Sequence, residues 1–297
     1  MICADGYGLS QPVSTAIVAL IEEQRILATS CLAVAPLWPS TARWLDPVAG
    51  RADVGVHLAL TDFRPLGRLP RLAPWGRLPD AAVLRKRNLL GRIGRDEVRA
   101  ELVRQLDRFL QQWGTPPDFV DSHQHVHLLS GIRAPLLEAL EIVLPGRAML
   151  LRDTRPSVPL FEAGVLPARR ALSNAWQALG WAQAARSAGH VTNEGFAALD
   201  APRDLEEPGA VLTTLKELGP RPILAVQPAR SGNLADRLSL MRAAQYDYLM
   251  SDQLAHDLFE AGRMSVRLAG ILPVPRAVHA PGVAPLRANT VADRAHS

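Results

Sequence analysis

Residues 1–31, "MICADGYGLSQPVSTAIVALIEEQRILATSC", contain a strand-like run, a helical pattern and a second strand-like run. The first run is "MICA", and in "PVSTAIVALIEEQ" the apolar residues recur at helical spacing. The second run continues past this stretch as "ILATSCLAVA", residues 26–35, and is well short of the roughly 20 apolar residues that a membrane helix needs. Strand, helix and strand in this order predict two parallel strands joined by a helix.

The same alternation continues along the chain. The clearest amphipathic helix is "RDEVRAELVRQLDRFLQQWG" at residues 95–114, where apolar residues recur four apart and Gly114 follows the helix end. Further strand candidates are "DVGVHLALT", "DFVDSHQHVHLL", "RAMLLRD", "NEGFAAL", "PILAVQP" and "MSVRLAGI". Six to eight such units predict an α/β fold in one domain, a TIM-like (β/α) barrel of regular or irregular shape over residues 1–270.

Two segments stand outside this pattern. Residues 62–92 form a long insertion after the third strand that is rich in proline and arginine, and long loops of this kind often act as lids or substrate walls. Residues 271–297 carry no periodic pattern, so we expect a disordered tail there.

Composition excludes several classes of protein. A hydrophobic content of 48% with 21% charged residues is typical of a globular chain. The net charge of +4 is modest, and the arginines do not gather into a dense basic stripe, so we expect no nucleic-acid partner. Two cysteines, Cys3 and Cys31, together with the lack of a signal peptide, favour the cytoplasm, and no run is long enough for a transmembrane segment.

The histidines are concentrated in "DFVDSHQHVHLL", residues 118–129. Three of the eight in the chain, His123, His125 and His127, stand at alternate positions within five residues. On one face of an extended segment, such imidazoles could bind a metal or transfer protons, and a polar loop that happens to be rich in histidine is the alternative.

Two further polar residues follow predicted strands. Asp5 comes after the first strand, and His57 lies near the end of the third. The carboxyl ends of barrel strands meet at one mouth, where two imidazoles and a carboxylate would suit Zn²⁺ or another divalent metal. Taken singly, His57 could be a core histidine and Asp5 part of a turn. Together these residues predict a metal-dependent hydrolase.

Three segments, "ADGYGLS", "VGVHLALTDFRPL" and "DFVDSHQHVHLL", resemble in order and spacing the motifs of the YdjC-like family of carbohydrate deacetylases. That family includes chitooligosaccharide deacetylases of the ChbG type and the hopanoid-associated HpnK group. The resemblance covers about residues 2–270. It implies a TIM-like barrel that uses a divalent metal, Mg²⁺ or Zn²⁺, to remove acetyl groups from an N-acetylated sugar or glycolipid.

The resemblance also implies roles for individual residues. Asp5 matches the family's base, and in this chain it could instead serve as a substitute metal ligand. His57 and His123 match the metal-binding histidines. His125 and His127 match further histidines of the family motif, and either could assist as an acid. We also expect His127 and Arg152 to contact substrate.

The chain departs from the family pattern at two positions. The first motif usually carries a second, metal-binding aspartate, where this chain has Gly6. A late strand usually ends with a histidine that handles the leaving group, where this chain has Gln227. Gln227 could still contact the reacting groups, but an amide cannot shuttle a proton near neutral pH.

Three hypotheses remain open from the sequence. The first is a deacetylase with a reorganised metal site. The second is a catalytically impaired relative that binds an amino sugar or a partner without turnover, and the third is an amidohydrolase-like barrel acting on another amide or ester. The sequence leaves the oligomeric state open, with a homodimer as one option.

Overall fold

The computed structural model describes residues 1–155, 177–199, 205, 209–230 and 237–268. A single parallel sheet forms its centre, in the order β5-β4-β3-β2-β1-β7-β6. The strands are β1 Ile2–Tyr7, β2 Ala28–Cys31, β3 Asp53–Leu58, β4 Phe119–Ser122, β5 Leu150–Leu151, β6 Phe196–Ala198 and β7 Ile223–Val226.

Helices follow most of the strands along the chain. They are α1 Gln11–Glu22, α2 Trp38–Thr41, α3 Ala81–Leu89, α4 Arg95–Trp113, α5 Ser130–Val143, α6 Trp181–Ser187, α7 Ala210–Glu217, α8 Arg237–Met250 and α9 Asp252–Glu260, with 3-10 turns at Ala42–Val48 and His123–Leu128. Helix α1 begins where the Ser10 side chain accepts a hydrogen bond from Val13 N. Helix α4 buries the predicted apolar face and ends at Gly114, which has a φ of +90°.

The strand–helix alternation and the parallel sheet are confirmed, but the described strands do not form a closed barrel. Strands β5 and β6 are the two edges of the sheet. Among the described residues, a single isolated bridge joins this side of the sheet, between Leu150 and Val191, which lies ahead of β6. The sheet is therefore a curled half-barrel. The two-residue length of β5 leaves too few backbone groups for a continuous ladder across this gap.

Each strand alternates between an outer face under the helices and an inner face. The inner face carries a small core of its own, in which Cys3, Ala28, Phe119 and Leu150 pack together. Gly55 belongs to the same layer, because a Cβ atom there would lie 2.5 Å from the Phe119 ring. Glycine at this position therefore leaves the room that the phenylalanine ring fills.

The insertion at residues 62–92 packs on the domain. Backbone N–H groups of Leu66 and Gly67 donate to the Glu101 carboxylate of α4, and those of Arg71 and Leu72 donate to Glu97. The end of the insertion forms α3. The insertion is thus held against α4 at several points, and its role as a lid or substrate wall stays a prediction.

Two predictions for the C-terminal region differ from the structure or lie beyond it. The strand predicted at 264–271 is wrong for its described part, because residues 264–268 form no strand. Arg267 and the Leu268 N–H bind the Asp53 carboxylate at the start of β3 instead. The tail predicted at 271–297 lies outside the described residues.

Candidate active site

A ring of polar side chains lies at the carboxyl ends of the central strands. Asp5, Ser30, His57, Asp121 and Arg152 are all buried there. Each follows by two residues a member of the inner layer, namely Cys3, Ala28, Gly55, Phe119 and Leu150. Because side chains alternate along a strand, the polar ring stacks directly above the small apolar core.

Arg152 is the centre of this ring. Its Nη1 donates to Asp5 Oδ2 at 2.5 Å, and its Nη2 donates to Asp5 Oδ1 at 2.7 Å, which makes a two-pronged pair. Nη2 also lies 2.6 Å from Asp121 Oδ2 and 3.1 Å from Cys3 Sγ. The guanidinium is fully buried and lies 5.8 Å from the centre of the Phe196 ring. One cation thus links two buried carboxylates from different strands.

The charges of the ring stabilise one another. Burial opposes ionisation of Asp121, but Arg152 and His57 outweigh it and hold the pKa of that carboxyl well below its usual range. Burial likewise opposes the charge on Arg152, yet Asp121 and Asp5 raise the pKa of the guanidinium well above its ordinary value. Burial raises the pKa of the Cys3 thiol well above its usual value, so the thiol stays protonated.

Cys3, Asp5 and Asp121 lie close enough together to share a metal ion. Arg152 already occupies the space between them, because its Nη2 contacts an atom of each. A metal there would have to displace a buried cation and to deprotonate a buried thiol. This cluster is therefore an internal ion-pair network.

His57 is oriented by the same network. Its Nδ1 lies 2.7 Å from Asp121 Oδ1 and 2.8 Å from Ser30 Oγ. An N–H at Nδ1 that donates to the carboxylate leaves the lone pair on Nε2. Within the described part of the chain, Nε2 has no hydrogen-bond partner. A carboxylate behind a histidine in this way is the arrangement that prepares an imidazole to bind a metal.

The three histidines of residues 123–127 do not share a face, so that prediction is wrong. Strand β4 ends at Ser122, and Gln124 and His125 then adopt left-handed conformations with φ of 54° and 58°. These two residues turn the chain sharply. As a result, His123, His125 and His127 point to different surroundings.

His123 lies beside His57. The two ring centres are 5.7 Å apart, and the Phe63 ring packs edge-on against His123 at 5.5 Å. His123 Nε2 is 3.5 Å from Asp62 Oδ2, at the mouth. Burial and the neighbouring His57 lower the pKa of His123 to about 3, so the imidazole is neutral near pH 7 and can bind a metal.

His125 points away from His123, toward the start of β6. Its ring packs edge-on against Phe196 at 5.2 Å. Burial, with the Arg152 cation, holds the pKa of His125 well below its ordinary value. Its Nδ1 is buried and has no hydrogen-bond partner among the described residues, so this atom is available to a bound molecule.

His127 has partners on both ring nitrogens. Nε2 lies 2.8 Å from the Arg152 carbonyl oxygen and Nδ1 lies 2.6 Å from Ser122 Oγ, which also accepts a hydrogen bond from the His127 backbone N–H. Trp181 packs against the ring and donates to the same Arg152 carbonyl. These contacts give His127 a structural place behind the polar ring.

The bonding of His127 predicts a pH-dependent loss of stability. Nε2 must donate to a carbonyl and Nδ1 must accept from Ser122, which suits only the neutral ring, and burial lowers the pKa of His127 to about 4. In the unfolded chain the ring protonates near pH 6.5. Its contribution is therefore complete above about pH 6.5 and falls as the pH drops toward 4. Between about pH 6.5 and 4, the free energy of unfolding measured with urea should fall less steeply in His127→Gln than in the wild type, by up to about 1.4 kcal/mol per pH unit. Parallel declines in both proteins would contradict this.

The two positions that depart from the family pattern both lie beside the ring. Gly6 has a φ of +89° and coincides with a bulge in the pairing of β1 with β2. A Cβ at Gly6 would meet only Leu32 Cδ1 at 3.9 Å, so there is room for a side chain despite the unfavourable backbone. Gln227 follows β7, and strand alternation places it above Ala225 of the inner core.

Fold and site together define a class of protein, an α/β half-barrel with histidines and carboxylates gathered at the carboxyl ends of its strands. The sequence profile described as "YdjC-like protein" matches residues 1–260, and the chain belongs to the YdjC-like family. The predicted resemblance is confirmed.

Two curated proteins with similar sequences are named as deacetylases. A chitooligosaccharide deacetylase from Serratia marcescens is 31% identical over 140 residues, 47% of this chain and 54% of that protein. A carbohydrate deacetylase from Geobacillus stearothermophilus is 31% identical over 128 residues, 43% of this chain and 49% of that protein. The chain thus spans about half the length of the curated relatives it matches.

A solved structure supports the fold. A protein from Enterococcus faecalis V583, described as a cellobiose-phosphate cleavage protein, superposes with a TM-score of 0.64 and 16% identity. The superposition covers 91% of this chain and 97% of that chain. No helix in the described ranges is long and apolar enough to cross a membrane.

Sequence reasoning missed three polar residues of the site. Ser30 and Asp121 orient His57, and Asp62 lies beside His123. Ser30 and Asp121 could have been found from strand alternation, because each points to the inner face of its strand. In the sheet, Ser30 pairs with Asp5 and Asp121 pairs with His57. Asp62 lies in the insertion after β3, where no period indicates which way a side chain points.

Proposed function

We propose that the protein is a divalent-metal-dependent deacetylase that acts on an N-acetylated sugar or glycolipid. The observation that carries the proposal is the pair His57 and His123 at the mouth, 5.7 Å apart, with His57 oriented by Asp121. Membership in the YdjC-like family and the names of its relatives support the substrate class. Two imidazole ligands favour Zn²⁺ over Mg²⁺, which prefers oxygen.

The reaction adds water to the acetamide carbonyl, breaks the C–N bond, and releases acetate and the free amine. A metal bound at His57 and His123 would polarise the carbonyl and lower the pKa of a bound water. Asp5 would accept the proton of that water. The two-pronged pair with Arg152 fixes the orientation of the Asp5 carboxylate, and each oxygen keeps a second lone pair that could accept a proton.

The leaving amine needs a proton and an orienting contact. His125 presents a buried, unpartnered Nδ1 near the polar ring and would relay to the nitrogen the proton that Asp5 takes from the water. Gln227, in line with the inner face of β7, would hold the acetamide by a hydrogen bond. The predicted contact of Arg152 with substrate would require its buried ion pairs to separate, so we assign Arg152 to positioning Asp5, and His127 to supporting Arg152.

Acetate release from N-acetylglucosamine oligomers tests the proposal. We expect metal-dependent release by the wild-type protein and a loss of at least about 100-fold in His123→Ala. His256→Ala is the matched control, because His256 is an exposed histidine on α9. Equal activity in the two variants, or release that a chelator does not affect, would refute the site.

Gly6 and Gln227 favour a second candidate, a relative that binds an amino sugar without turning it over. Gly6 has no side chain to bind a metal, and Gln227 cannot transfer a proton as the family's histidine would. Binding without acetate release under Zn²⁺ or Mg²⁺, together with activity gained by Gly6→Asp with Gln227→His, would support it. Gly6→Asn with Gln227→His controls for the backbone cost of a side chain at φ +89°.

A further inference from the structure

We infer that Asp62 supplies the carboxylate ligand that Gly6 cannot, so that the metal centre consists of His57, His123 and Asp62. This inference rests on the proposed function, because it completes the same centre. In this centre the carboxylate ligand comes from the insertion that follows β3, whereas the family pattern has it at the end of the first strand.

Asp62 lies beside His123, whose ring neighbours the ring of His57. Asp62 Oδ2 is 3.5 Å from His123 Nε2, a distance that one intervening cation would bridge with small side-chain rotations. His57, whose Nε2 is left without a partner in the described ranges, lies next to His123. Two nitrogens and a carboxylate oxygen are a common ligand set of catalytic zinc sites, with the fourth position left for water.

The other nearby carboxylates already pair with other side chains. Both oxygens of Asp5 bind Arg152, and Asp121 binds Arg152 and His57. Asp62 has one neutral hydrogen-bond partner, Gln124 Nε2 at 2.9 Å from Oδ2. Its side chain is 38% exposed, so an ion has access from solvent.

Backbone strain marks the same place. Non-glycine residues with positive φ in the described chain are Gln24, Asp62, Gln124 and His125. Three of these four belong to the two segments that meet at His123. A left-handed conformation at a non-glycine residue costs about 1 kcal/mol or more and persists where the surroundings enforce it, often at ligand sites. The strain therefore argues for a functional reason to turn Asp62 toward His123.

Hydrogen bonds hold the strained segment in position. Asp62 N donates to the Pro79 carbonyl at 3.1 Å, and Leu78 N donates to the Phe63 carbonyl at 2.8 Å. Phe63 in turn packs its ring against His123. Residues 78–79 in the middle of the insertion are thus tied to its start at Asp62 and Phe63, which favours a preorganised position for the carboxylate.

Cobalt titration tests the inference, with visible absorption reporting the coordination of the ion. Metal-free wild-type protein should bind one Co²⁺, and Asp62→Asn should bind it at least about 10-fold more weakly, because even outer-shell changes at metal sites cost that much. Asparagine is isosteric and tolerates positive φ, so the backbone is retained. Asp107→Asn, which removes a carboxylate on α4 away from the mouth, should match the wild type.

A second variant keeps the test decisive if Asp62→Asn perturbs the insertion. Gly6→Asp in the Asp62→Asn background should restore Co²⁺ affinity, since a side chain at position 6 has room. Asp62→Asn affinity within twofold of wild type, with binding abolished in His123→Ala, would overturn the inference and leave the proposed metal centre intact. Absence of Co²⁺ and Zn²⁺ binding by the wild type at millimolar metal would overturn both.

Discussion

Replacing Arg152 with methionine should lower the free energy of unfolding by about 3–5 kcal/mol, the cost of leaving buried charges unpaired. Arg152 is fully buried between Asp5 and Asp121, and its removal leaves two carboxylates from different strands facing each other without a cation. They would have to take up protons or admit water. Urea unfolding at pH 7 measures the loss directly.

Arg43→Met is the matched control for this experiment. Arg43 also pairs with an aspartate, Asp46, but the two side chains are 67% and 51% exposed, so its loss should cost less than about 1 kcal/mol. A loss of similar size in both variants would contradict the central role of Arg152. Acidification should narrow the difference in unfolding free energy between wild type and Arg152→Met, because a protonated Asp121 no longer needs the cation.

Asp5→Asn should lower kcat by about 10²–10⁴-fold while metal affinity changes little. The reason is that Arg152 binds both oxygens of Asp5, which would accept a proton from water, whereas the proposed metal ligands are other residues, His57 and His123 among them. Asparagine keeps the shape of the side chain and one acceptor for Arg152, so the fold should survive. Kinetics of acetate release and a Zn²⁺ titration on the same preparation measure the two quantities.

This pair of measurements separates the two roles that the sequence left open for Asp5. A metal ligand would lose affinity and activity together, and a base would lose activity alone. Weaker Zn²⁺ binding in Asp5→Asn, by 10-fold or more, would assign Asp5 to the metal and refute the base. The melting temperature of each variant shows whether a loss of activity or of Zn²⁺ affinity is caused by unfolding.

The sequence predicted the parts of the site that depend on the local periodicity of apolar residues. Asp5 and His57 stand at the ends of short β-rich runs, and a parallel sheet brings such ends to one edge. For the same reason, the strand–helix alternation predicted the parallel sheet. It did not predict that β5 would be only two residues long, which leaves the barrel open.

The sequence could not predict contacts set by the tertiary fold. Arg152 and Asp5 are 147 residues apart, and no local pattern indicates that a buried arginine will find that carboxylate. The alternating histidines predicted a continued strand, but left-handed turns at Gln124 and His125 separate them. Asp62 was overlooked because its direction is set by contacts between the start and the middle of the insertion and not by periodicity.

The measurement that tests this account most directly is a calorimetric titration of metal-free protein with Zn²⁺, run beside His57→Ala. The account predicts one-to-one binding by the wild type that disappears in the variant, because His57 is the imidazole that Asp121 and Ser30 orient toward the mouth. Equal binding by both proteins, or no binding at millimolar Zn²⁺, would contradict it.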